Sequence, residues 1–372
     1  MIKGISLENF AAFKGIELEF TSGINIIIGE NSCGKTQILK SIYALSSEQD
    51  ATDKLLGLFK PHNEKLSGLY HRGGEGKAKI TLEDSSGQFA NAEFGPRTQK
   101  VTKDSSIVNA GKPVLIPTKE VLSLLPAIQS ANVTPEALKA LFDDSIIDLC
   151  STLLSEPAGE LSEAINNDPR LGEIIPMLTK AIGGKFEING NEHAFVKGKF
   201  VEKANPDISK GQSAKIYSDY KKLDFQKEKS SETSVTMTAE GFRKIGLLQR
   251  LIDVGALVKG QTNVLLWDEP ESNINPALMK LLVECLFELA RNGQQIIIAS
   301  HNYVMLKWFD LLMDKSKEDH VSYHALFRNE NDEIAKQTTD NYKMLSNNAI
   351  AQTYSDLYDA ELERSLGVAA HD

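Results

Sequence analysis

Residues 23–45, GINIIIGENSCGKTQILKSIYAL, limit what this chain can fold into more than any other stretch. Ile24, Ile26, Ile27 and Ile28 form a β-branched run broken only by Asn25, as in a parallel strand buried on both faces. Ile38, Leu39, Ile42 and Leu45 then recur at helical spacing. Between them Gly29-Glu30-Asn31-Ser32-Cys33-Gly34-Lys35-Thr36 fits G-x-x-x-x-G-K-[ST]. A strand, a glycine-bounded loop and a helix in that order predict a phosphate cradle. Backbone N–H groups from Gly29 through Asn31, Ser32, Cys33 and Gly34 face phosphate oxygens, and the helix N-terminus adds partial positive charge. Lys35 is expected to reach the β- and γ-phosphates and Thr36 to place its hydroxyl on Mg²⁺, with Gln37 beside them. The implied ligands are ATP and Mg²⁺. The plain alternative is a glycine turn with an exposed lysine, and the flanking strand and helix speak against it.

Two further strand signatures end in polar groups. In NVLLWDEP the apolar run stops at Asp268 and Glu269, and in QQIIIASH it stops before His301. Ligands of open α/β sheets sit at the carboxyl ends of the strands. Asp268 is therefore expected to hold Mg²⁺, and Glu269 to orient and deprotonate an attacking water. His301, on the neighbouring strand, is expected near the γ-phosphate. Strands often end in acids, so the Asp-Glu pair gains its meaning only downstream of the phosphate loop.

Composition excludes little but narrows the setting. Hydrophobic residues are 41% and charged residues 25% of 372 positions, ordinary globular usage that argues against disorder. The formal net charge of −10 argues against a surface that grips nucleic acid all over, though not against a local basic patch. Cys33, Cys150 and Cys285 are far apart and form neither a CxxC pair nor a zinc spacing, which favours a reduced, cytoplasmic setting. The N-terminus lacks a signal-peptide core, and no stretch approaches the ~20 apolar residues that span a bilayer.

The rest of the chain gives an outline. KGISLEN, IELEF, KAKITLED and KPVLIPT read as strands, and KFEINGNEHAFV as a hairpin about Asn189-Gly190. Thr134 and Pro135 open a helical region carried by Leu138, Leu141, Phe142, Ile146, Leu149, Leu153 and Leu154. Residues 197–229 are lysine-rich, and VTMTAEGFRKIGLLQRLI reads as a strand entering an amphipathic helix through Thr238-Ala239-Glu240-Gly241. The tail holds a helix whose Ile350, Tyr354, Leu357, Tyr358 and Leu362 stripe is expected to pack into the core. Three parts follow: 1–132 with the phosphate loop, an inserted lobe at 133–230, and 231–372.

Taken in order, NFAAFKGIELEF, GENSCGKT, LLWDEPESNINP and ASH resemble the ABC-type ATPases of the SMC/RecF/OLD-like class. The resemblance covers about 1–46 and 234–310 and implies an α/β fold: a P-loop NTPase with an ABC-type ATPase head, a mixed sheet flanked by helices, and an inserted mainly helical lobe. It also implies a signature loop that caps the γ-phosphate of an opposite subunit in a head-to-tail dimer. That loop falls on Ala239 and Gly241, with Ala239 where the family has serine, so that Thr238 is the candidate substitute hydroxyl. Ile274-Asn275-Pro276 stands where relatives carry Leu-His-Pro, and no Q-loop glutamine is assigned.

The insertion has no heptads for a coiled coil, and the tail of about 70 residues after His301 is short for an appended nuclease domain. A separate effector, a nuclease or toxin encoded nearby, is therefore expected, as for similar stand-alone ATPases of bacterial anti-phage defence. A DNA-repair or DNA-end-binding ATPase is the second reading, with Lys221 and Lys222 meeting phosphates. A transporter ATPase ranks third. Cys33, inside the loop, is expected to make the enzyme sensitive to alkylation.

Overall fold

The computed structural model describes residues 1–105, 112–130, 132–157, 170–203, 222–257, 262–346 and 349–365. Strands β1 (Ile2–Phe10) and β2 (Phe13–Glu19) form a hairpin, and β3 (Ile24–Gly29) runs through the phosphate loop into helix α1 (Lys35–Ser46), followed by α2 (Ala51–Phe59). Next come β4 (Ala78–Asp84), β5 (Phe89–Phe94), β6 (Thr102–Ser105) and β7 (Lys112–Ile116). The middle of the chain holds α3 (Pro135–Leu141), α4 (Asp144–Leu153), α5 (Leu171–Ile182) and the strands β8 (Gly184–Asn189), β9 (Glu192–Lys203) and β10 (Lys222–Ser234). The last third is α6 (Glu240–Asp253), β11 (Thr262–Asp268), α7 (Pro276–Arg291), β12 (Gln295–Ser300), α8 (Tyr303–Leu312), β13 (Val321–Arg328), β14 (Ile334–Thr339) and α9 (Ala349–Ser365).

A six-stranded sheet in the order β14-β13-β3-β12-β11-β7 is parallel except at its β13–β14 edge. An antiparallel sheet, β2-β1-β4-β5-β6, and a three-stranded one, β10-β9-β8, complete the α/β fold. The isoleucine run of β3 is explained by its neighbours. Ile27 faces one core, with α1, α2 and the antiparallel sheet; Ile24, Ile26 and Ile28 face another, with α4 to α8. A strand covered on both sides needs apolar residues at every position. Asn25, the exception, is fully buried, and its Oδ1 accepts from the Thr21 N–H at 2.8 Å while its Nδ2 donates to the Thr21 carbonyl at 3.0 Å. It closes the turn that launches the strand.

Three expectations need correction. The helical region after Thr134 is two helices, because Asp143 caps α4 with bonds from the Ser145 and Ile146 N–H groups. Residues 235–237 are a 3₁₀ turn rather than the end of a strand. On α9, Ile350 packs against the core, but Tyr354, Leu357, Tyr358 and Leu362 are 42%, 64%, 60% and 41% exposed, so the rest of the stripe does not. Only Tyr354 finds a ring partner, stacking on Tyr303 at 4.3 Å between centroids. Much of the lysine-rich segment, including Lys221, lies outside the described residues.

Candidate functional site

The ends of β3, β12 and β11 stand side by side, in register at Ile28–Ser300 and Ala299–Asp268. Lys35, Thr36, Asp268, Glu269 and His301 lie at these strand ends. In the loop after β3, Ser32 and Gly34 take left-handed backbone, with φ of 68° and 83°. A Cβ at Gly34 would also lie 2.3 Å from Phe13 Cζ, so only glycine fits. Gly34 caps α1 without a side-chain bond, leaving the first-turn N–H groups directed into the loop. Asn31, Ser32 and Thr36 are exposed, whereas Gln37 is half-buried and its Oε1 accepts from the Ala12 N–H at 3.1 Å, which holds the β1–β2 turn against α1. Cys33 is 2% exposed and packed in the core beneath the loop, which corrects the expectation of ready alkylation.

Lys35 is buried, and its Nζ donates to the carbonyls of Gly29 at 2.7 Å and Glu30 at 2.9 Å. Burial pulls its pKa below the usual lysine range. Across the sheet, Asp268 Oδ2 accepts from Thr36 Oγ1 at 2.8 Å and from Thr118 Oγ1 at 3.1 Å. Asp268 Oδ1 is buried without a partner among the described residues. Burial raises the pKa of this carboxyl, and the two hydroxyl bonds oppose the rise. A spare carboxylate oxygen beside two hydroxyls is the hard oxygen set that suits Mg²⁺, which takes few protein ligands and completes its shell with phosphate and water. Among the described residues there is no group of three or more His, Cys, Asp and Glu that could hold a metal ion.

Glu269 is a non-glycine residue at φ 47°, a conformation that persists only where the surroundings impose it. Its N–H donates to the Ala299 carbonyl at 2.9 Å, and its Oε1 lies 3.0 Å from His301 Nδ1. His301 is in turn held by Glu271, whose Oε1 accepts from the His301 N–H at 3.1 Å and from Ser300 Oγ at 2.8 Å. Glu271 is 5% exposed, burial raises its pKa, and its Oε2 has no partner among the described residues.

The start of α6 is built differently. Ala239 caps the helix without a side-chain bond. The Thr238 hydroxyl donates to the Val235 carbonyl, so it is committed within its own turn and does not replace the missing serine. Glu240 Oε1 accepts from Asn273 Nδ2 at 2.7 Å, which draws the carboxylate toward residue 273. A Cβ at Gly241 would lie 3.0 Å from the Asn273 carbonyl oxygen, so the glycine admits this chain's own 272–275 loop. Arg243 pairs with Glu120 at 2.8 Å, and Lys244 bonds the Glu269 carbonyl and Ser272. Asn275, in the Leu-His-Pro position, caps α7 by accepting from the Ala277 N–H at 3.0 Å.

Sequence reasoning missed Thr118, Glu271 and Lys244. Thr118 follows KPVLIP, and only the β7–β11 pairing brings it to Asp268. Glu271 carried a signal, an acid two residues after Glu269, but strand adjacency is needed to see what it holds.

Residues 1–245 match the family described as AAA ATPase domain. The chain belongs to that family. Residues 189–307 also match the family described as AAA domain, putative AbiEii toxin, Type IV TA system. The DNA replication and repair protein RecF of Streptococcus suis (strain 05ZYH33) is 39% identical over 74 residues, 19% of this chain and 20% of the relative. RecF of Exiguobacterium sp. (strain ATCC BAA-1283 / AT1b) is 31% identical over 125 residues, 28% of this chain and 34% of the relative. The chain thus spans a minor part of these relatives. Among solved structures, the SMC head bound to the C-winged helix domain of ScpA aligns with a TM-score of 0.53 at 13% identity, covering 92% of this chain and 98% of that one. An SMC head with an extended coiled coil, bound to the C-terminal domain of ScpA derived from Pyrococcus furiosus, aligns with a TM-score of 0.50 at 12% identity, covering 97% and 99%. These likenesses concern the fold, which is similar to that of SMC heads. No described helix is long and apolar enough to cross a membrane.

Proposed function

We propose that this chain binds ATP with Mg²⁺ and hydrolyses it in sites shared by two head-to-tail copies. The observation that carries the reading is the meeting of two polar pairs at adjacent strand ends, Thr36 with Asp268 at 2.8 Å and Glu269 with His301 at 3.0 Å. In this reading the N–H groups of Gly29 to Gly34 and the α1 N-terminus bind the triphosphate, and Lys35 turns from the loop carbonyls to the β- and γ-phosphates. Thr36 and Asp268 would hold Mg²⁺, which would supply neutralisation of charge on the phosphoryl oxygens. Glu269 orients a water and takes its proton as the oxygen attacks the γ-phosphorus; the bond to the β-phosphate oxygen breaks, and ADP and phosphate leave. His301 fixes the Glu269 carboxylate and faces the γ-phosphate. The first turn of α6 from the other copy, with Ala239 and Gly241, caps that phosphate with backbone N–H groups. Glu269→Gln is expected to bind ATP, stall and accumulate a dimer on size exclusion. A variant that stays monomeric with Mg²⁺ and ATP would refute the shared site.

The cellular role we favour is control of a separate effector, nuclease or toxin, in bacterial anti-phage defence; the Type IV TA description matched at 189–307 supports it. Stable co-purification with the product of a neighbouring gene tests it. A DNA-repair or DNA-end-binding role is the second reading, favoured by the RecF matches. Salt-dependent DNA binding that falls when Lys221 and Lys222 are replaced would select it.

A further inference from the structure

We infer that Lys244 is a positioning residue that fastens the backbone of Glu269 to the first turn of α6. The inference rests on the reading of Glu269 as the group that activates water. Lys244 lies on α6 one turn after Glu240 and is 3% exposed. Its Nζ donates to the Glu269 carbonyl at 3.2 Å and to Ser272 Oγ. Ser272 Oγ itself lies 3.0 Å from the same carbonyl and 3.4 Å from the carbonyl of Thr118, and the Ser272 N–H donates to the Glu269 carbonyl at 3.1 Å. One carbonyl is thus gripped from three sides, and it belongs to the residue at φ 47°.

A left-handed glutamate is strained and persists only where its surroundings over-determine it. An ammonium taken out of water is also costly unless it is paired and hydrogen-bonded. Here burial lowers the Lys244 pKa, and the charges of Glu271, Glu240, Glu269 and Asp268 oppose that fall. Packing alone would be served by leucine or methionine at that position. A buried cation aimed at a strained carbonyl serves the geometry of the residue that carries it. The same turn makes two more links to this loop, Asn273 to Glu240 and the close approach of Asn273 to Gly241. Residues 240–244 and 269–274 are therefore joined as one body. The turn that caps the other copy's phosphate and the carboxylate serving this copy's own site move together.

Lys244→Met, Lys244→Arg and Ser272→Ala test this in the full chain by two readouts. Amide exchange reports the lock without any need for turnover: in Lys244→Met the Ser272 and Ile274 amides should exchange about tenfold faster, with the rest of α6 unchanged. Turnover reports its use: kcat should fall about 10²-fold while the ATP Kd stays within about twofold, since a small misplacement of a reacting group acts on the chemical step. Lys244→Arg should restore most of both. Unchanged exchange at 272–274, a kcat within about twofold of wild type, or an ATP affinity that falls in step with kcat would each overturn the assignment. Should Lys244→Met fail to fold, Ser272→Ala decides by the same readouts, with smaller changes of the same sign. A wild-type chain with no turnover in Mg²⁺-ATP refutes the proposed hydrolysis instead, and exchange alone then decides the role of Lys244.

Discussion

In the reading proposed above the strand-end cluster and the start of α6 both meet phosphate, but they are built in opposite ways. At the strand ends, polar atoms keep unused bonding capacity: Asp268 Oδ1 and Glu271 Oε2 are buried without partners among the described residues, and Lys35 is satisfied only by loop carbonyls. Such groups are costly to leave so, and they make sense where a ligand completes them. At the α6 start every polar side chain is already engaged by the same chain: Thr238 with Val235, Glu240 with Asn273, Arg243 with Glu120 and Lys244 with Ser272. Ala239 caps the helix without a side-chain bond, so what remains to offer is backbone N–H at the start of the first turn. In the proposed reading one region does the chemistry and the other caps.

Lys35→Ala should have the largest effect, weakening ATP binding in calorimetry by at least about 100-fold, because a charge-assisted contact is lost from a buried site. Unchanged binding would erase the distinction between the two regions. Glu269→Gln should lower kcat by about 10²–10⁴-fold with ATP affinity kept. Gly241→Ala should sharpen the contrast. Its Cβ would press on the Asn273 carbonyl, so turnover should fall about tenfold while the Kd for ATP stays within about twofold. A parallel loss of affinity would show that α6 serves the copy it belongs to.

The smallest expected effect is at the other end of α6. Burial raises the Asp253 pKa to about 6. The folded state therefore binds this proton more tightly than the unfolded chain, so the contribution to stability is present at low pH and is lost as pH rises through about 6. Asp253→Asn should raise stability by about 1–2 kcal/mol at pH 8, leave it unchanged near pH 4, and leave kcat alone. A change in kcat there would mean that all of α6 is coupled to the site, rather than its first turn.

Much of this was readable in the chain. The isoleucines of β3, the loop 29–36 and the apolar runs ending at Asp268 and before His301 are local patterns whose physics is complete within a few residues. What misled was also local. Tyr354, Leu357, Tyr358 and Leu362 form a sound amphipathic stripe, yet spacing cannot say whether a surface waits to receive it. Gly241 reads from sequence as room for phosphate, and what spacing does not show is that a Cβ there would also lie 3.0 Å from the Asn273 carbonyl oxygen of the same chain. Thr118 carried no signal at all, since a threonine after a strand is common and its meaning comes from Asp268, 150 positions away.

By itself the sequence determined the phosphate loop, the alternation of strands and helices, and which acids and which histidine stand at strand ends, because periodicity and glycine placement act over a single element. Only the tertiary structure decided that β11 lies beside β12 and β7, that Thr36 meets Asp268 across 232 residues, and that Lys244 closes on Glu269. Those contacts follow from how the sheet orders its strands and how α6 docks on them, and the burial that drives both belongs to the whole core rather than to any one stretch.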